Sequence, residues 1–322
     1  MKAIWVDQFG GVDALKFGDL DKPYPPAGHV LVKIAAAGIN YIDTYQRSGL
    51  YKVPLPFVPG SEGAGVVEYA GEGVTTFKPG DRVAWASSRG SYAEYAAIPE
   101  SALIPVPAHL DLNQAAAALL QGMTAHYLTH STFPLKAGHT ALVHAAAGGT
   151  GRLIVQMAKM LGARVIATVG SPQKGHIARD AGADEVILYR EMDFAAEARR
   201  LTYAEGVDVV YDSVGAATFS KSLASLKVRG MMVSFGNASG PVAAIQPLLL
   251  SQGGSLFLTR PTLAHYTQTR QELEWRAGDV LNWIEHGKLT LKIDHIYPLK
   301  DAAKAHNELE GRATAGKLLL IP

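Results

Sequence analysis

The chain has 322 residues, 48% of them hydrophobic and 18% charged, with a formal net charge of +1. That balance fits a globule of about two domains and excludes a disordered chain or a globally basic surface for nucleic acid or an anionic membrane. Cysteine is absent, so disulfides and thiolate chemistry are excluded and a zinc site would have only His, Asp and Glu to draw on.

The amino terminus reads as the start of a strand, without the pattern of a signal peptide, and no apolar run of about 18 residues is long enough to span a bilayer. A cytoplasmic protein is expected. From Met1 to about Ile98 the chain is strand-rich. Ala3–Val6, Val30–Ala36, Gly65–Ala70, Asp81–Trp85 and Tyr92–Ile98 are short apolar or alternating runs. Turn clusters such as Pro23–Gly28 and Lys78–Asp81 separate them, as in a twisted antiparallel or barrel-like sheet.

Near Asp111 the pattern changes. Asp111 followed by Gln114 predicts a helix N-terminus, and an alanine-rich helix follows. Strands at Thr140–His144, Arg164–Val169, Glu185–Leu188, Val207–Asp212 and Met231–Phe235 then alternate with helices. Helices are expected from about Gly149 to Leu161 and from Ser171-Pro172, with the Ser171 hydroxyl at the N-cap and Pro172 at the first helical position. Such alternation predicts a doubly wound parallel sheet. After about Arg260 it stops, leaving a long helix (about Thr269–His286), a short strand near Ile296, a helix from Asp301 and a terminal strand Lys317–Ile321. The expected layout is a substrate domain of residues 1–123 and 262–322 into which a cofactor domain, residues 124–261, is inserted.

The strand at Thr140–His144 runs into Ala145-Ala146-Ala147-Gly148-Gly149-Thr150-Gly151 and then a helix. Ala146, Gly148 and Gly151 align with the three glycines of the dinucleotide fingerprint, alanine replacing the first. Gly148 lets the backbone approach a pyrophosphate, Gly151 lets helix and strand pack closely, and the helix N-terminus offers free amides. A second strand about 20 residues on supplies the required context. Where NAD enzymes place an acid to bond the ribose hydroxyls, this strand ends Val169-Gly170-Ser171, with Lys174 one turn later. The missing carboxylate and the added cation point to NADP(H). The bland alternative is an N-cap serine and a solvated lysine.

Six segments stand out: Ala37–Asp43, Pro59–Val67, Gly80–Val83, the Ala-Ala-Gly-Gly turn, Tyr211–Gly215 and Ser234–Asn237. Together, in this order and spacing, they resemble the zinc-free quinone oxidoreductases of the medium-chain dehydrogenase/reductase superfamily, the group that includes zeta-crystallin. Tyr189-Arg190-Glu191, Thr259-Arg260-Pro261 and Arg312-Ala313-Thr314 point more narrowly to the bacterial NADPH:quinone reductases. The resemblance covers essentially the whole chain. It implies a Rossmann domain inserted into a mostly-β GroES-like catalytic domain. It also implies that Lys174, Tyr189 and Arg312 join Ser171 around the 2′-phosphate, and that Val214-Gly215 and Phe235-Gly236-Asn237 contact the nicotinamide half. Zinc-dependent relatives bind their catalytic metal in segments where this chain has Asn40, Ser61 and Gln121. None is a good zinc ligand, so no metal is expected. The histidines His126, His130, His139 and His144 show no ligand spacing and are read as surface or packing residues.

Asn40, Tyr45, Tyr51 and Gln121 are the candidates for the acceptor pocket. Tyr45 would donate to a carbonyl oxygen and Tyr51 would form an aromatic wall, the alternative being ordinary core or rim packing. A quinone needs stacking and one or two donors, so no dedicated acid is assigned. The leading reading is an NADPH:quinone reductase. An NADPH-dependent reductase of activated carbon–carbon double bonds and a non-catalytic, RNA-binding or structural NADPH protein are the alternatives. Gly254–Thr259 reads as the last strand of the cofactor sheet. An unpaired edge is rarely left bare, and relatives join such edges, so a homodimer is expected.

Overall fold

The structure, a computed structural model, describes residues 1–322. The chain divides into two compact units, one of Met1–Met123 with Thr267–Pro322 and one of Thr124–Tyr266.

The first unit opens with β1 (Lys2–Trp5) and β2 (Lys16–Asp19), an antiparallel pair. Then come β3 (His29–Ile39), α1 (Tyr41–Ser48), β4 (Glu62–Ala70), β5 (Arg82–Ala86), β6 (Tyr95–Pro99), β7 (Ile104–Pro105) and α2 (Leu112–Tyr127). The Asp111 carboxylate starts α2 by accepting the amides of Asn113 and Gln114, at 2.8 and 3.4 Å. The second unit holds β8 (Thr140–Val143), α3 (Gly149–Met160), β9 (Arg164–Val169), α4 (Pro172–Asp180), β10 (Glu185–Leu188) and α5 (Phe194–Leu201). It continues with β11 (Val207–Asp212), α6 (Phe219–Ser225), β12 (Leu226–Ser234), α7 (Leu248–Gln252) and β13 (Phe257–Thr259). The chain then returns to the first unit with α8 (Arg270–Glu285), β14 (Ile293–Pro298), α9 (Ala302–Glu310) and β15 (Lys317–Ile321).

In the first unit a sheet of order β14-β15-β3-β4-β5-β7, with β6 also paired to β3, carries two apolar clusters. One is centred on Ile4, Ile39, Tyr92 and Leu318, the other on Val32, Val67, Trp85 and Ile98. Tyr92 precedes β6 rather than starting it. Its amide donates to Pro59 and its carbonyl accepts from Ile4, which places its ring in the core. α1 was not anticipated from the hydrophobic pattern, because its buried face is polar: Asp43, Thr44, Gln46 and Arg47.

In the second unit all pairings are parallel and the strand order is β10-β9-β8-β11-β12-β13. Numbered from β8, that is 3-2-1-4-5-6, the Rossmann order, whose direction reverses between β8 and β11. Leu142, Ile166, Ile187, Val210 and Met232 fill the core beside the helices. The last strand is shorter than expected: Gly254 and Ser255 take left-handed conformations (φ 110° and 56°), so pairing starts only at Phe257. No helix is long and apolar enough to cross a membrane.

Candidate active site

The glycine-rich turn of the second unit is built by β8 and α3. After Val143 the chain turns through Ala145, a non-glycine residue in the left-handed region (φ 50°). The Gly148 amide closes that turn onto the Ala145 carbonyl at 2.8 Å. Gly148 is the extended N-cap of α3, and Ala147 just before it is buried. Gly149, Thr150 and Gly151 form the first turn, whose amides have no intrahelical acceptor and suit an anion. A Cβ on Gly151 would overlap the Ala145 carbonyl oxygen, so only glycine lets helix and strand approach this closely. Ala146, aligned with the first glycine of the fingerprint, is not at positive φ. The strain sits one residue earlier, which is why alanine is tolerated there.

At the end of β9, Ser171 caps α4 by accepting the Lys174 amide at 3.4 Å, with Pro172 in the first turn. The Tyr189 amide donates to the Val169 carbonyl at 3.2 Å, which brings the residues after β10 beside Gly170. A Cβ on Gly170 would lie 2.9 Å from the Tyr189 hydroxyl and 3.4 Å from Arg190 Nε. Gly170, Ser171 and Tyr189 are therefore gathered at one strand end, with Lys174 in the first turn of α4. Tyr189 is 39% exposed. Arg190 is a cation that sequence reasoning missed. Its signal was its place directly after Tyr189, which was used only as a mark of resemblance.

Beyond β11, Asp212 organises the next turn. Its Oδ1 accepts the amides of Val214 (2.7 Å) and Gly215 (3.0 Å), and its Oδ2 accepts the hydroxyls of Thr218 and Ser222 (2.6 and 2.8 Å). Gly215 is left-handed (φ 92°), and a Cβ on it would come within 2.6 Å of the Gly240 carbonyl. The Phe235 amide donates to the Asp212 carbonyl at 2.8 Å, and Gly236 is buried against the Ser213 backbone. In the amide orientation that satisfies both its atoms, Asn237 donates to the Gly236 carbonyl at 3.0 Å and accepts from Arg260 at 3.2 Å. The two segments expected to serve the nicotinamide half thus lie together.

In the first unit, Asn40 enters a buried polar network. Lys317, 1% exposed, donates from Nζ to Glu62 Oε2 at 2.5 Å and to Asn40 Oδ1 at 2.7 Å. Asn40 Nδ2 donates to Glu62 Oε2 (2.9 Å) and the Gly38 carbonyl (3.3 Å), and Glu62 Oε1 accepts the Leu120 amide (2.7 Å). Asp43 accepts the Asn40 amide, the Ser61 amide and hydroxyl, and the Tyr92 hydroxyl. Tyr92 reaches His306, which meets Arg47, itself paired through both terminal nitrogens with Glu310. Burial raises Asp43 to about 6, against the pull of these donors and of Lys317. Burial, reinforced by the Arg47 charge, lowers His306 to about 3.

The segments that hold zinc in metal-dependent relatives are already occupied by protein partners here. The Asn40 amide is engaged by partners on both its oxygen and its nitrogen, the Ser61 hydroxyl donates to Asp43, and a buried ammonium already touches Asn40 and Glu62. This donor set does not fit a zinc ion. Of the other acceptor candidates, Tyr45 and Tyr51 are brought together, edge to face at 5.2 Å, with the Tyr51 amide donating to the Tyr45 carbonyl. Gln121 is half-buried on α2, next to the Leu120 amide that Glu62 holds. Arg312 is an exposed, left-handed residue (φ 56°) just after α9, in the first unit. Two of the four histidines are packing residues: His126 and His144 are fully buried, the first stacked on His130 at 4.2 Å, the second hydrogen-bonded through both ring nitrogens.

Two family models match, an alcohol dehydrogenase GroES-like domain over residues 26–108 and a zinc-binding dehydrogenase over residues 149–278. A quinone oxidoreductase of Pseudomonas aeruginosa is 45% identical over 100% of this chain and 99% of its own. A 2-haloacrylate reductase of a Burkholderia species is 40% identical over 97% of this chain and 96% of its own. Among solved structures, the Escherichia coli quinone oxidoreductase complexed with NADPH superposes with a TM-score of 0.98 at 43% identity, covering 100% of both chains.

Proposed function

We propose a function for a chain that belongs to the zinc-free quinone oxidoreductases of the medium-chain dehydrogenase/reductase superfamily: it is an enzyme that reduces quinones with NADPH. One observation carries this reading. At the end of β9, where an acid would select NAD, Gly170 and Ser171 are flanked by Lys174, Tyr189 and Arg190.

The unit of residues 124–266, five residues longer than expected, is the cofactor domain, and residues 1–123 with 267–322 are the substrate domain. The α3 amides of Gly149, Thr150 and Gly151 take the pyrophosphate beside Ala147 and Gly148. Ser171 and Lys174 bond the 2′-phosphate, with Tyr189 against the adenosine. Arg312 is a further cation that the resemblance assigns to the phosphate. Val214, Gly215, Phe235, Gly236 and Asn237 form the nicotinamide platform. Bound NADPH supplies a hydride. Tyr45 donates to a quinone oxygen, Tyr51 and Gln121 line the pocket, and Asn40 holds its wall in place through Glu62. Charge developing on a quinone oxygen is delocalised over the ring, so a hydroxyl donor and solvent suffice to complete protonation.

The double-bond reductase is retained as a second reading, because a 40% identical relative is named 2-haloacrylate reductase. NADPH oxidation against a panel of quinones and conjugated enones decides between them. Turnover with quinones at least tenfold above enones is expected, and the reverse order overturns the quinone reading.

The assembly proposed is a homodimer joined through β13, in a cytoplasmic setting where NADPH is available. β13 is an edge strand, and Phe257 on it is 56% exposed. The Leu256 amide is already donated to Leu250 within the unit, so proline at Leu256 does not test the edge. Proline at Phe257 and at Leu258 does: the variant whose lost amide points away from β12 should give folded monomers in light scattering. A wild-type mass of one chain, 34.2 kDa, rules the dimer out.

A further inference from the structure

The second unit contains a buried side-chain relay that the cofactor reading does not use. His144, directly after β8, lies between two hydroxyls. Its Nδ1 is 2.7 Å from Thr168 Oγ1 and its Nε2 is 2.9 Å from Ser222 Oγ. Ser222 in turn donates to Asp212 Oδ2 at 2.8 Å. Thr168, Ser222 and Asp212 are fully buried and His144 is 1% exposed, so water does not compete. The ring of Phe194 packs edge-on against the imidazole at 4.8 Å.

The proton directions follow from the inventory of donors. Ser222 gives its only proton to Asp212, so it can only accept from His144. Nε2 must carry the hydrogen, and Nδ1 is left to accept from Thr168. One neutral tautomer satisfies all four groups. Burial also favours it, since desolvation lowers the His144 pKa despite the nearby Asp212 charge. A protonated ring would carry a hydrogen on both nitrogens and would force the Thr168 hydroxyl to turn from donor to acceptor.

The ends of this relay are the two ends of the proposed cofactor platform. Thr168 lies two residues before Gly170, on the strand whose end carries the 2′-phosphate residues. Asp212 fixes the Val214 and Gly215 amides of the nicotinamide turn. His144 itself precedes the glycine-rich turn, which is also tied to β9, since the Ala146 amide donates to the Thr168 carbonyl at 3.3 Å. We propose that His144 is a positioning residue that holds the adenosine-phosphate turn and the nicotinamide turn in register, so that one NADPH molecule meets both halves of its site at once. The inference rests on the NADPH reading of this unit.

Ser222→Ala cuts the relay between His144 and Asp212 and leaves the β9 end untouched. It should raise the Kd for NADPH about tenfold and leave that for 2′,5′-ADP, which reports the adenosine half, within about twofold. His144→Ala should raise the Kd for NADPH at least as much. His144→Gln, which keeps an amide donor toward Ser222, should recover it to within about threefold of wild type. The quinone KM should hold in all three. A role confined to stability would lower Tm without this split between fragment and whole cofactor. In the wild-type protein, 15N NMR of labelled histidine should show His144 as the Nε2–H tautomer throughout pH 5–8. Unchanged NADPH affinity in Ser222→Ala and His144→Ala overturns the inference. So does equal weakening of NADPH and 2′,5′-ADP in Ser222→Ala, or a His144 ring that titrates in that range. If variants misfold, the tautomer measurement alone decides. Failure of wild type to bind NADPH overturns the cofactor reading and this inference together.

Discussion

The two units bury polar groups in opposite ways. The first encloses full charges: Lys317 and Glu62 in contact, Asp43 and Arg47 nearby, with Asn40, Ser61, Tyr92 and His306 between them. The second encloses a neutral imidazole between hydroxyls, and its relay ends on one carboxylate whose oxygens accept four donors. A buried ion pair adds little stability over an apolar substitute but costs much when half is removed. A neutral relay costs less to break and still fixes geometry. The substrate unit therefore holds the segments around Asn40 and Ser61 by charge, whereas the cofactor unit holds its turns by close packing and hydrogen-bond direction.

The largest test of that contrast is Lys317→Met. It leaves Glu62 charged and enclosed, and about 3–5 kcal/mol should be lost in urea unfolding. Adding Glu62→Gln to Lys317→Met should restore a large part. A loss below about 1 kcal/mol for Lys317→Met would mean that the charges do not act as a unit. Next in size is the cationic end of the cofactor unit. Lys174→Ala and Arg190→Ala should each raise the Kd for NADPH roughly tenfold or more, about 1.5–3 kcal/mol, and leave NADH nearly unchanged. Equal weakening of both cofactors would remove these residues from the phosphate site.

A smaller effect is the pH response of the first unit. Asp43 is raised to about 6 in the folded protein. The folded state binds its proton more readily than the unfolded chain, so this group adds stability as pH falls from about 6 toward 4. His306, lowered to about 3, does the opposite: the unfolded chain takes up its proton first, and stability is lost as pH falls below about 6.5. The two offset each other. Asp43→Asn should therefore lose stability more steeply between pH 6 and 4.5 than wild type, read from unfolding midpoints at several pH values. Parallel curves would show that Asp43 does not titrate there. The smallest expected effect is Ala145→Gly, which relieves a left-handed alanine but loosens the unfolded chain. It should shift stability by less than about 1 kcal/mol.

The cofactor unit was the more legible of the two. Arg164–Val169, Glu185–Leu188 and Val207–Asp212 are strands at the residues expected, because apolar runs bounded by glycine and caps mark buried parallel strands without ambiguity. Lys317–Ile321 was legible for the same reason, yet nothing in a leading lysine says that it is enclosed. α1 escaped because its inward face carries Asp43, Thr44, Gln46 and Arg47, which a hydrophobic period cannot register. Arg190 and His144 escaped for a related reason. Their significance lies in partners such as Gly170 and Ser222, distant in the chain and joined only by the sheet.

The Glu62–Lys317 contact also has a timetable. Its partners are 255 residues apart. At ribosomal rates of about 5–20 residues per second, Glu62 is made roughly 13–50 s before its counter-ion. Residues 124–266, contiguous in the chain, can collapse during that interval. The substrate unit must hold an unpaired carboxylate in water until its last strand arrives. Its closure is then a late event in synthesis, and nascent chains stalled before Lys317 would be natural clients for chaperones.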